Sequence, residues 1–81
     1  MPFFYLMITA EEIKEKIEKS IPNSRAEIIN EKNDGMHFKA IVRSPFFKGK
    51  ELVEQHRMVY SALEEELKRK LHSLSIETGE I

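Results

Sequence analysis

Eighty-one residues, 41% hydrophobic and 33% charged with a net charge of −1, make one domain and exclude bulk electrostatic attraction to nucleic acid or anionic lipid. With no cysteine the chain can form no disulfide, thiol nucleophile or thiolate metal ligand. A chain of this size buries only roughly 60% of its unfolded surface, so it needs a compact two-layer core or a partner.

The chain opens on an apolar run, Met1 to Ile8, that lacks the basic flank and cleavage site of a secretory signal. It is also far short of the ~20 residues that span a bilayer. Residues 1–6 read as an extension, with Met7 as an alternative start. The absence of any other such run is what a cytoplasmic, reducing setting would give, with no membrane partner.

Thr9 followed by Glu12 is a capping box, and Ala10, Ile13, Ile17 and Ile21 recur at helical spacing behind it. The i, i+4 pairs Glu12/Lys16 and Glu15/Lys19 support a helix over residues 10–21, which Pro22-Asn23 ends. Ser24 to Lys32 has a strand composition, and Asn33-Asp34-Gly35 is a tight-turn triplet. Beyond it Phe38, Ala40 and Val42 alternate with Lys39, Ile41 and Arg43, which predicts a second strand and an antiparallel hairpin.

Pro45 to Lys50 is a connector, and Glu51 to Lys70 is predicted as one long helix. Its Leu52, Val53, Val59, Tyr60, Leu63 and Leu67 fall within about a 120° arc, the width of a core-facing stripe. Leu71 to Glu77 alternates as a third strand, with Thr78-Gly79 loosening it. The predicted fold is α/β, an α+β sandwich of helix, strand, strand, helix, strand. A helix between the second and third strands makes a crossover, so the three-stranded sheet is mixed, with both helices on one face.

The near-zero charge hides one basic segment. Residues 36–50 hold Lys39, Arg43, Lys48 and Lys50 and no acid. Like charges on an exposed strand protect an edge and keep it soluble; alternatively they form a polyanion-binding face that Arg57 could join.

Three histidines bear on chemistry. His56 falls at the centre of the apolar stripe, where a packed, hydrogen-bonded core residue is the simpler explanation and a ligand the sharper one. His37 and His72 open the second and third strands; each could be bonded to nearby backbone or present an imidazole at the rim of the domain. No two histidines share a helix face, and no nucleophile or zinc-protease motif occurs, so catalysis is not expected.

Taken together, Met36 to Ser44, Phe47-Lys48-Gly49-Lys50, Gln55 to Tyr60, Leu63 to Leu67 and Leu71 to Ile76 resemble the BolA family. The match runs from about Ile8 to Thr78, and the short Asn33-Asp34-Gly35 turn is similar to the IbaG (YrbA-type) branch. The resemblance implies a single BolA-like domain over residues 7–81, with an architecture like class II KH folds and no enzymatic activity.

It also implies a monothiol glutaredoxin as partner, a 2Fe–2S cluster shared with it, and a role in iron–sulfur trafficking and iron homeostasis. The family's shared cluster ligand corresponds to His72, and a second ligand from the hairpin region corresponds to His37. A cysteine-free domain can in any case hold such a cluster only through imidazole, with thiolates supplied by a partner.

Some members act instead as DNA-binding regulators of stress response and cell morphology. Here that would draw on Lys39, Arg43, Lys48, Lys50 and Arg57. A homodimer of the isolated chain is a further expectation.

Overall fold

The computed structural model describes residues 9–32, 37–69 and 73–80. The first helix, α1 (Ala10–Ser20), is capped as its sequence requires: Thr9 Oγ1 accepts from the Glu12 N–H at 3.1 Å, and the Glu12 carboxylate accepts from the Thr9 N–H at 3.1 Å. Ile21 turns extended and ends it, although its N–H still donates to the Ile17 carbonyl. Ile13, Ile17 and Ile21 are fully buried.

Three strands make one sheet in the order β1 (Arg25–Asn30), β2 (His37–Arg43), β3 (Ser73–Gly79). β1 pairs antiparallel with β2, and β3 pairs parallel on its other side, so the predicted mixed sheet is observed. The predicted turn at residues 33–35 lies outside the described residues. On the covered face Ala26 opposes Val42 and Ile28 opposes Ala40, and these pack against α1. The open face carries Arg25, Glu27 and Ile29 opposite Arg43, Ile41 and Lys39.

β3 continues past the predicted end at Glu77: Thr78 and Gly79 are not loosened but pair with Val42 and Arg43. Beyond β2, Pro45–Phe47 form a 3-10 turn with buried Phe47 as its core anchor.

The predicted long helix is two. α2 (Leu52–Ala62) stops at Leu63, whose N–H donates to the Tyr60 carbonyl in a tightened 3-10 turn, and α3 (Glu64–Arg69) follows. The break keeps Leu63 fully buried while Glu66 reaches Lys16 of α1 at 3.0 Å. That contact raises the Lys16 ammonium above its ordinary value, chiefly through the hydrogen bond to Glu66.

The helix is also rotated from the predicted stripe. Gln55, Val59 and Leu63, at i, i+4, i+8, face the sheet, whereas Leu52 (58% exposed), Val53 (63%) and Tyr60 (42%) face solvent. A buried glutamine displaced the phase, because an apolar count cannot register it.

Candidate functional site

His37 begins β2 and is half-buried, on the same alternation as Lys39, Ile41 and Arg43, the open face of the sheet. Its carbonyl accepts from the Glu31 N–H at 2.9 Å, which closes the end of the hairpin. Its Cα partner across the parallel ladder is Ser73, the first residue of β3. His72 itself, the other predicted ligand, lies outside the described residues. Among the described residues no group of three or more His, Cys, Asp or Glu could hold a metal ion.

His56 departs from expectation. It is half-buried on the flank of α2 rather than packed in the core, and its side chain makes no hydrogen bond to a described residue. The rotation of α2 is the cause: Gln55 occupies the place the stripe assigned to its neighbour.

The five candidate cations fall into three groups. Lys39 and Arg43 share the open sheet face, and both reach Glu77 of β3, at 3.5 and 3.9 Å. Lys48 and Lys50 belong to the connector; Lys50 lies 3.8 Å from Glu54 and 4.9 Å from the centre of the Phe46 ring, whereas Lys48 is exposed. Arg57 is on the helix layer, beside an open groove of about 380 Å³ between α1 and α2, with Ser20, Met58 and Ser61. It does not join Lys39 and Arg43, which the sheet separates from it.

A residue that sequence analysis missed holds the connector in place. Gln55 is 9% exposed, and its Nε2 donates to the Lys50 carbonyl at 2.9 Å and to the Phe47 carbonyl at 3.5 Å. Gly49, at φ +79°, supplies the left-handed residue this tight path needs. The available signal was the Gln55/Val59/Leu63 spacing, a buried row once the glutamine is admitted to it.

Described residues contain no helix long and apolar enough to cross a membrane. Residues 7–80 match the family of BolA-like proteins along nearly the whole chain. The chain belongs to the BolA family.

Among its BolA relatives is a Rickettsia prowazekii protein, 38% identical over 73 residues, which cover 90% of this chain and 95% of that one. The Escherichia coli DNA-binding transcriptional regulator BolA is 32% identical over 79 residues, 89% of this chain and 75% of the regulator. The structure of a BolA homologue from Coxiella burnetii superposes with a TM-score of 0.77 at 36% identity, over 90% of this chain and 91% of that one. Helix order and the mixed sheet are thus those of BolA structures.

Proposed function

We propose that this BolA-family chain is a non-catalytic adaptor that pairs with a monothiol glutaredoxin, shares a 2Fe–2S cluster with it, and serves iron–sulfur trafficking and iron homeostasis. The observation that carries this reading is the register at one end of the sheet: His37 is the partner of Ser73, the residue that directly follows His72 in the chain. His37 thus opens the strand whose parallel partner begins one residue after His72 in the sequence.

The donor chemistry fits a shared cluster. The chain has no thiolate to offer, and no complete metal-binding group occurs among its described residues, so it needs a partner's ligands. When bound, the cluster supplies one-electron chemistry; this chain's part is to present neutral imidazole from this end of the sheet. Ligation by imidazole weakens as acid protonates it, which makes the pairing pH-sensitive.

Mixing the protein with a monothiol glutaredoxin under anaerobic cluster-reconstituting conditions tests the proposal. The mixture is expected to show visible absorption and circular dichroism bands distinct from those of the glutaredoxin alone. Spectra that merely add would defeat it.

A second reading, a DNA-binding regulator, is favoured by the similarity to the E. coli protein of that description. Lys39, Arg43 and Lys50 each have an acidic neighbour, leaving Lys48 and Arg57 without ion pairs among the described residues. Binding would then be weak and mainly electrostatic, at roughly −0.9 in log–log slope against salt per phosphate contact, or about −4 with four to five contacts. A slope steeper than all five cations can supply would reject that set.

A further inference from the structure

We infer that the open face of the sheet carries an anion site, built by Arg25 and Arg43 and sized for a single phosphate dianion. The two arginines are direct partners across the antiparallel β1–β2 ladder. Like charges so placed, with Cβ atoms roughly 5 Å apart, repel one another and cost stability unless something neutralises them.

Among the described residues no acid pairs closely with either. Arg25 is exposed and makes no ion pair among the described residues. Arg43, 53% exposed, reaches among the described residues only Glu77, at 3.9 Å, beyond hydrogen-bond range. Its guanidinium lies over Gly79, its partner on the other ladder: a Cβ there would come 3.2 Å from Arg43 Nη1. Gly79 has no side chain to fill that space, so Arg43 rests toward β3, and closing the site on an anion requires it to swing back toward Arg25.

Between the two arginines is a shallow cleft of about 140 Å³, floored by Ile41 and edged by Glu27. Two guanidinium forks present several N–H donors in fixed planes, which suits a tetrahedral oxyanion with charge near −2 better than a monovalent ion. The next row of the sheet decides how much anion the face accepts. There Glu27 and Glu77 flank Ile41 from both sides, so a chain of phosphates would meet two carboxylates one step beyond the arginines. The site takes one anionic group and rejects a polyanion.

The test is a titration of the ¹⁵N-labelled protein, followed by NMR at constant ionic strength, with inorganic phosphate, methyl phosphate and chloride as separate probes. Saturable shifts are expected at Arg25 and Arg43 with phosphate and none with chloride. Equal binding of methyl phosphate assigns the site to phosphomonoesters; binding of inorganic phosphate alone assigns it to the free ion.

Arg25→Gln and Arg43→Gln should each weaken binding by about tenfold or more, because each removes a charge-assisted hydrogen-bond donor. Glu77→Gln should tighten it several-fold, and Lys48→Gln should leave it unchanged. All four sites are exposed, so folding is not at stake. Equal shifts with chloride, binding indifferent to Arg25→Gln, or an oligonucleotide whose affinity climbs with its length would each overturn the assignment.

Discussion

Ser44 is fully buried and donates its hydroxyl proton to the carbonyl of Pro22, 2.7 Å away and 22 positions earlier in the chain. The same oxygen accepts from the Phe46 N–H at 3.0 Å, and the Ser44 N–H donates to the Gly79 carbonyl at 3.1 Å. One small residue therefore joins the end of α1, the start of the connector and the last residue of β3.

Ser44→Ala is expected to destabilise the protein by about 1–2 kcal/mol, because the Pro22 carbonyl and the Phe46 N–H, both in part-buried bonds, lose their shared partner. For a domain of this size each kcal/mol lowers Tm by roughly 4–8 °C. Thermal melting by circular dichroism checks it; a variant melting with the parent would mean that water replaces the hydroxyl.

Glu18 links α1 to β1 through a carboxylate oxygen that accepts from Lys14 Nζ at 2.7 Å and from the Ala26 N–H at 3.0 Å. The Lys14 bond first, and the Ala26 bond second, hold its carboxyl below the usual carboxylate range. A lowered folded-state pKa stabilises fully above the unfolded value, about 4.3, and the benefit is lost as pH falls through the folded value. Glu18→Gln should therefore melt below the parent near neutral pH, with the gap closing in acid. A gap that widens on acidification would contradict the pairing.

Half-buried and without a hydrogen-bonded partner among the described residues, His56 contributes little that alanine would not. His56→Ala is expected to cost under about 1 kcal/mol, well below a core truncation. Urea unfolding measures it, and a loss comparable to a buried leucine would restore the packed position that the stripe predicted.

The adaptor proposal makes a different demand on the other two histidines. His72→Ala should abolish the mixed-complex absorption and dichroism bands while leaving Tm close to the parent's; His37→Ala should shorten the lifetime of those bands to a lesser degree. Unaltered spectra in the His72 variant would remove that residue from the mechanism.

What could be read in the sequence is what local chemistry determines. Thr9 and Glu12 cap α1 whatever surrounds them, and the alternation of Phe38, Ala40 and Val42 sets the buried face of β2. The break at Leu63 was not legible, since residues 51–70 contain neither Gly nor Pro and every local preference favours continuation. Contacts made far away in the chain, the burial of Leu63 and the reach of Glu66 to Lys16, accompany it instead.

Gln55 shows the same limit from the polar side. Its burial depends on the Lys50 and Phe47 carbonyls, which exist as partners only once the connector has folded back. The cation set was grouped by proximity in sequence, and the sheet divides it: Lys39 and Arg43 lie on one side, Arg57 on the other.

The position of β2 has a kinetic consequence. Its antiparallel partner is a hairpin neighbour, whereas its parallel partner arrives only after the crossover from Arg43 to Ser73 has closed. Loop-closure entropy opposes the second pairing by roughly 1–2 kcal/mol more than the first, so the hairpin is expected in the transition state and β3 is expected to dock after it. Val42→Ala should then slow refolding, while Ile76→Val should chiefly speed unfolding, as stopped-flow chevrons would reveal. Equal effects on both limbs would refute that order. In that order the ladder between His37 and Ser73 forms after the hairpin, so a partner that grips this end of the folded domain would slow its unfolding.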